Sequence, residues 1–352
     1  MKTILITGGA GFIGSNFIHH LLREHSYRVV NLDLLTYAGN LESLADVEDD
    51  DRYAFVRGDI NNRELLNLIF ADYEVDAVVN FAAESYVDRS ITDPDLFVRT
   101  NVMGAQTLLD VARRAWVEDP RDPRCRRYRP GVRFVQVSAA EVYGDLGAEG
   151  YFTSASPVLP RTPYAASKAG ADLVAQAYHE TYRLPVSIAR SSVSYGPYQL
   201  PEKLIPLIIG KARAGGRVPL YGDGRQVRDW LHVHDHCAAL DAVLHRGRDG
   251  ATYLMGGGNA PSNAEVASLV LAQLGAGDDR LQHVDDRPGH DRRLAIDNRE
   301  IFEELGWAPK LSLAEGIAQT VQWYQDNPEW LRSAASGAYR EYYRLHYVGN
   351  VR

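Results

Sequence analysis

Apolar residues along this chain alternate between two rhythms. Residues 2–7 (Lys-Thr-Ile-Leu-Ile-Thr) form a short apolar run that ends in a glycine cluster. Residues 12–24 then place Phe12, Ile13, Phe17, Leu21 and Leu22 at helical intervals. Strands are predicted again at 27–33, 53–57, 76–81, 132–138 and 185–190, with helices near 62–71, 94–116 and 163–182. Strand–helix alternation of this kind predicts an α/β fold with a doubly wound parallel sheet. After residue 192 the segments shorten and turn residues gather (Pro197, Pro201, Pro206, Gly215, Gly216, Gly222, Gly224). We therefore expect a first domain from 1–192 plus 228–257, and a smaller α/β C-terminal lobe for substrate from 193–227 plus 258–345. Residues 117–131, rich in Pro and Arg, read as a solvated surface loop.

Composition narrows the function classes. The chain has 352 residues, 45% hydrophobic and 24% charged, ordinary values for a soluble globular protein. A net charge of −8 argues against nucleic acid as a partner, which is held by phosphate neutralisation. A small anion needs only a few local arginines. Cys125 and Cys237 are the only cysteines, with no disulfide framework and no zinc-ligand spacing, so no metal is expected. No basic leader precedes the first strand, and no apolar run reaches the ~18 residues of a membrane span. A cytoplasmic protein without a membrane partner is expected.

The glycine cluster carries the first chemistry. Gly8, Gly11 and Gly14 are spaced G-x-x-G-x-x-G, with Phe12 and Ile13 opening the helix. Gly8 permits the turn, Gly11 lets the backbone approach a pyrophosphate, and Gly14 lets helix and strand pack closely. The helix N-terminus offers N–H groups and a positive dipole end to phosphates. Asp33 ends the second strand, where a carboxylate binds ribose hydroxyls and repels a 2′-phosphate, so the expected cofactor is NAD on a Rossmann fold. Asp59 and Ile60 follow the third strand. Asp59 either reaches the adenine amino group or serves only as a turn residue.

Pro163-Tyr164-Ala165-Ala166-Ser167-Lys168 opens a later helix. Tyr164 and Lys168, four apart, share one face. A neighbouring ammonium favours the phenolate, which makes Tyr164 a candidate base and Lys168 its electrostatic partner.

With these motifs the chain resembles the extended short-chain dehydrogenase/reductase family, and within it the dTDP-glucose 4,6-dehydratases. The matching segments run over nearly the whole chain: 33–40, 81–85, Val87-Asp88-Arg89-Ser90-Ile91, 195–199, 201–206, 219–224, 227–233 and Arg287-Pro288-Gly289-His290-Asp291. The resemblance implies a nucleotide-diphosphate sugar as substrate. Glu202, Lys203 and the segment from Pro219 to Tyr221 would hold the base. Arg228, Arg287 and His290 would hold the diphosphate, a task suited to guanidinium groups, and Ser85 would also touch substrate. It further implies that C4 of the sugar is oxidised, that a glutamate at Glu141 removes the C5 proton, that an aspartic acid protonates the C6 hydroxyl, and that hydride returns to C6. Family members often pair helices equivalent to 98–116 and 163–182 in a homodimer. An apolar face there equally suits burial against the sheet.

The chain departs from that pattern around the sugar. Val137-Ser138-Ala139-Ala140-Glu141-Val142-Tyr143-Gly144 carries Ala139 for a threonine and Ala140 for the aspartic acid. Losing a general acid typically costs ~10²–10⁴ in rate. Val193 and Ser194 replace two asparagines, Tyr86 a histidine and Ser154 a glutamate. Several outcomes stay open: elimination with water, Tyr143 or a nearby carboxyl as acid; epimerisation; decarboxylation of a uronic acid; or a protein that binds NAD and a nucleotide sugar without turnover.

Overall fold

The computed structural model describes residues 2–334. The expected lobe end at residue 345 lies outside them. The chain opens with β1 (Thr3–Thr7), α1 (Phe12–Glu24), β2 (Arg28–Asp33), β3 (Tyr53–Arg57), α2 (Arg63–Asp72) and β4 (Ala77–Asn80). Two short helices, α3 (Val87–Thr92) and α4 (Pro94–Phe97), lead through a π-helical segment (Val98–Gly104) into α5 (Ala105–Trp116). Where periodicity predicts one regular helix over 94–116, the widened turn brings Asn101 inward. Its side chain accepts from the Glu84 N–H (2.8 Å) and donates to the Glu84 carbonyl (3.0 Å) and to Ser167 Oγ (2.8 Å). Then come β5 (Arg133–Ala139), α6 (Pro163–Tyr182) and β6 (Val186–Ser191).

The chain next leaves the main sheet. β7 (Val193–Tyr195) is followed by α7 (Leu204–Arg213), β8 (Val218–Tyr221), β9 (Val227–Arg228), β10 (Trp230–His232) and α8 (Val233–Arg246). β11 (Thr252–Met255) returns to pair with β6. Beyond it lie α9 (Asn263–Gln273), β12 (Leu281–Val284), β13 (Arg293–Leu294), α10 (Arg299–Leu305), α11 (Leu313–Asp326) and α12 (Pro328–Ala334). The strand pairs β7–β10, β8–β12 and β9–β13 form three small parallel sheets. No helix among the described residues is long and apolar enough to cross a membrane.

The main sheet has seven parallel strands in the order β3-β2-β1-β4-β5-β6-β11, the Rossmann order. Its topological switch lies between β1 and β4, where ligands bind at the carboxyl ends of strands. The period-two rule divides the core. Ile4 and Ile6 of β1 face Phe17, Leu21, Leu240 and Val243, in a cluster drawn from α1 and α8. Leu5 faces the opposite cluster, with Leu66, Leu109 and Val186. A third core, including Ile205, Val266, Val270, Ile317 and Tyr324, fills the space under α7, α9 and α11.

One polar group sits inside this apolar frame. Ser138 of β5 and Arg190 of β6 are register partners. Asp172 of α6 lies over them, and its Oδ2 accepts from Ser138 Oγ and Arg190 Nε, both at 2.8 Å. Arg190 Nη1 donates to the Tyr143 hydroxyl at 2.8 Å. Asp172 and Arg190 are both buried. Removing one partner of a buried pair leaves an uncompensated charge, so Asp172→Ala is expected to cost about 3–5 kcal/mol of stability in urea denaturation. A loss under ~1 kcal/mol would mean that the pair is relaxed by solvent.

Candidate active site

The carboxyl ends of β1, β4, β5 and β6 open into one cavity of about 1130 Å³, closed on its other side by β8 and by residues following β7 and β12. Gly8, Gly11, Phe12, Ile13, Gly14, Asp33, Asp59 and Ile60 line one end. Glu141, Tyr164 and Lys168 line the middle, and Ser85, Glu202, Lys203, Pro219, Tyr221, Arg228, Arg287 and His290 line the remainder.

At the first end the backbone makes a cradle. Gly8 has φ +69°, and a Cβ on it would stand 2.7 Å from the Ala82 nitrogen. A Cβ on Gly14 would stand 2.4 Å from the Gly8 carbonyl oxygen. Only bare glycines allow turn, strand and helix to meet this closely. Gly11 is the N-cap of α1 and supplies no side-chain cap, so first-turn N–H groups remain available to an anion. Asp33 is held by the N–H groups of Ala10 (2.9 Å) and Leu35 (2.8 Å), while burial pushes its carboxyl above the usual range. Asp59 lines the cavity and also shapes its own turn, accepting from the Asn61 N–H at 2.8 Å.

In the middle, Thr162 caps α6 by accepting from the Ala165 N–H, and Pro163 occupies the first turn. Tyr164, Lys168 and Asp172 then follow at four-residue intervals on one buried face. Lys168 Nζ donates to the Val137 carbonyl at 2.7 Å. Burial pushes the Tyr164 phenol up, and the carboxylates of Glu141 and Asp172 add to that. Burial also lowers the Lys168 ammonium. Burial thus disfavours the charged form of both groups.

Glu141 sits on a 3₁₀ turn (Ala140–Tyr143) directly after β5. Ala139 lines the cavity. Ala140 instead packs into an apolar cluster with Val142, Phe152, Leu254, Leu294 and Ile296. Tyr143 is 2% exposed and its hydroxyl accepts from Arg190. It turns into the interior, which removes it as an acid for the sugar. Tyr86, Val193 and Ser194 line the cavity. Ser154 does not, so the departures from the family pattern do not all surround one point. Ser154 belongs to a turn held by the Thr153 N–H donating to Ser156 Oγ at 2.9 Å.

A carboxyl with no role assigned from sequence, Asp291, faces the same space. It is buried, and its Oδ1 has no hydrogen-bond partner, with Arg161 Nη1 at 3.7 Å. Burial pushes it up, Arg228 opposes the rise and the Glu141 carboxylate adds to it, leaving it at about 6.

The far end is built for an anion. Arg228 donates to the carbonyls of Val227 (2.7 Å) and Asp291 (2.8 Å), and burial together with the charge of Arg287 lowers it to about 10. Arg287 Nε is buried with no hydrogen-bond partner. A buried guanidinium beside a second, part-buried one suits a bound dianion. Asp88, another residue without a sequence-assigned role, ties this end together. It accepts from Tyr86 (3.0 Å), Tyr221 (3.1 Å) and Arg287 Nη1 (3.2 Å). His290, 2.7 Å from Asp286, is pulled down to about 4 by burial and by Arg287. It is neutral at pH 7 and offers hydrogen bonding rather than charge. Glu202 is buried, which raises its carboxyl, and lies 3.6 Å from Lys203 Nζ.

Known proteins share this architecture. The family described as GDP-mannose 4,6 dehydratase matches residues 5–320. The dTDP-glucose 4,6-dehydratase of Xanthomonas campestris pv. campestris (strain B100) is 48% identical over 349 residues, covering 97% of this chain and 98% of that protein. The crystal structure of DesIV, a dTDP-glucose 4,6-dehydratase from Streptomyces venezuelae with NAD and TYD bound, superposes with a TM-score of 0.88 at 47% identity, covering 95% of this chain and all of that one (100%). The dTDP-glucose 4,6-dehydratase of Bacillus anthracis str. Ames in complex with NAD gives 0.86 at 45%, with coverage of 95% and 100%. By these matches the chain belongs to the extended short-chain dehydrogenase/reductase family, among the dTDP-glucose 4,6-dehydratases.

Proposed function

We propose that this chain is an NAD-dependent 4,6-dehydratase acting on a dTDP-linked hexose, with Asp291 as the acid in place of the family's aspartic acid. The observation that carries the reading is a single cavity that joins a glycine cradle, a Tyr–Lys pair, two carboxyls and two guanidiniums. The residues fit the cofactor: Gly8 and Gly14 let the turn, strand and helix close up beneath the free N–H groups of α1, which would hold the pyrophosphate, and Asp33, fixed by the Ala10 N–H at the end of β2, would hold the ribose. When bound, NAD supplies the site that accepts hydride from C4 and gives it back at C6.

The chain does the rest. Tyr164, in its ionised form, would take the C4 hydroxyl proton as hydride leaves C4, and Lys168 would orient the ribose beside it. Glu141 takes the C5 proton, which the neighbouring ketone has made acidic. Asp291 gives a proton to the C6 hydroxyl, which departs as water. Burial holds Asp291 at about 6, which suits a proton donor. Arg228 and Arg287 anchor the diphosphate, and Glu202, Lys203 and Tyr221 lie where the base is read.

Incubation with dTDP-glucose in D₂O tests the reading. The expected product is a 4-keto-6-deoxy sugar carrying deuterium at C5. Isomers that keep the C6 oxygen would replace it with an epimerase. Loss of CO₂ from a uronic acid would replace it with a decarboxylase. Tight sugar-nucleotide binding without turnover would make the chain a binding protein.

The reading includes a homodimer. Val98, Met103 and Leu173 are 49%, 56% and 55% exposed on the π segment and α6, and a second copy would cover them. Light scattering should report two chains per particle, and one chain for Leu173→Glu. A wild-type monomer would reject the dimer. Cys125 and Cys237 are free thiols, which suits a reducing compartment such as the cytoplasm.

A further inference from the structure

The end of α1 remote from the glycine turn meets α8 through a cluster of imidazoles. His20 lies on α1, His25 caps its C-terminus, and Asp241 and His245 stand one turn apart on α8. His25 Nε2 is 2.8 Å from Asp241 Oδ1, and His20 Nε2 is 3.7 Å from Asp241 Oδ2. One donor atom each from His20, His25 and Asp241 falls within 4.8 Å of the others. Around an ion with bonds of ~2.0–2.1 Å, tetrahedral ligand atoms sit about 3.3 Å apart, and the two imidazole–carboxylate separations, 2.8 and 3.7 Å, bracket that value. His20 Nε2 is buried and has no hydrogen-bond partner. A ring nitrogen left so, aimed at a carboxylate but beyond bonding distance, wants a cation between them.

The surroundings hold these ligands in place. His25 packs against both Tyr27 and His245, each at 4.8 Å, and those two rings also meet at 5.7 Å. The Tyr27 hydroxyl lies 2.7 Å from His245 Nε2, and His245 Nδ1 lies 3.1 Å from Asp241 Oδ1. With Tyr27 donating, the His245 proton sits on Nδ1, which lies 2.8 Å from the Asp241 backbone carbonyl and next to its carboxylate, so it braces that residue as outer partners of metal ligands do. None of these side chains lines the active-site cavity. His25 and Asp241 are 216 residues apart, which is why no ligand spacing shows in the sequence.

We propose that His20, His25 and Asp241 bind one divalent transition-metal ion of the zinc class, clamping α1 to α8, with the fourth position taken by water. Two imidazoles and a carboxylate favour zinc, cobalt or nickel over magnesium and calcium. The test uses the tag-free full chain, stripped with EDTA and titrated calorimetrically with Zn²⁺. The expected result is one ion per chain, with no binding of Mg²⁺. His25→Gln should weaken binding about 100-fold or more, and His245→Gln about 10–100-fold. Cobalt should give the intense visible bands of a four-coordinate site, lost in His25→Gln. Circular dichroism checks the fold. If His25→Gln does not fold, His20→Gln carries the test, because its Nε2 makes no hydrogen bond to lose. Absence of binding to the wild type, or unchanged affinity in a folded His20→Gln or His25→Gln variant, overturns the site.

Discussion

Tyr164→Phe is expected to lower kcat for dTDP-glucose by about 10²–10⁴, equivalent to ~3–5 kcal/mol of transition-state stabilisation. The change removes one oxygen and little else. The ring packs edge-on to Phe97 at 6.4 Å between centroids, a contact that phenylalanine keeps. Lys168 is anchored on the Val137 carbonyl and not on the phenol, so it stays in place. The glycine cradle and Asp33 lie at the other end of the cavity, so NAD affinity should hold. KM should also hold, because the two guanidiniums carry the diphosphate. A fall in kcat with KM and melting temperature unchanged marks an interaction made in the transition state. A variant that still forms the ketone at a tenth of the wild-type rate or better would remove Tyr164 from the chemistry. The pH profile follows from the same site. Burial and Glu141 hold the phenol protonated in the chain alone, so C4 oxidation should speed up as pH rises across the neutral range, while water loss should slow above about pH 6 as Asp291 gives up its proton.

How much of this site is legible in the sequence depends on the range of each interaction. The cradle is local: Gly8, Gly11 and Gly14 lie between one strand and one helix, and Asp33 ends the next strand. The Tyr164–Lys168 pair is also local. Asp172 continues the same face at the next turn, but its role appears only with Arg190, which β6 places beneath it. Asp88 meets Tyr221 and Arg287 across 133 and 199 residues. No periodicity encodes such pairings. Strands of two residues, such as β9 and β13, are too short to alternate. The pair Ala139 and Ala140 shows what a strand end can do. β5 ends at Ala139, which meets the cavity, and the 3₁₀ turn that begins at Ala140 swings that residue into the apolar cluster. Both substitutions look equivalent in a motif. In the fold, one trims the cavity wall and the other is a core residue, and the proton donor is sought elsewhere.

Glu141→Gln is expected to abolish deuterium uptake at C5 and to slow water loss by about 10²–10⁴. An amide fills the same volume but has no lone pair basic enough to take a carbon-bound proton. Two electrostatic effects follow. The Glu141 charge raises the Asp291 carboxyl, which stands at about 6. Without that charge Asp291 falls toward the ordinary range, and a smaller share is protonated at neutral pH. The variant thus loses its base and weakens its acid together. The same charge raises the Tyr164 phenol, so its removal makes Tyr164 a slightly better base and leaves C4 oxidation intact. Quenched reactions should therefore contain oxidised sugar that retains its C6 oxygen. Asp291→Asn gives the complementary result. Glu141 still exchanges the C5 proton, so deuterium enters, but the C6 hydroxyl lacks its donor and leaves slowly. Mass spectrometry of the two variants in D₂O separates the steps: exchange without dehydration for Asp291→Asn, neither for Glu141→Gln. If Glu141→Gln takes up deuterium at the wild-type rate, the C5 base is another group. If Asp291→Asn dehydrates normally, the acid is a water molecule admitted where the methyl of Ala139 leaves room.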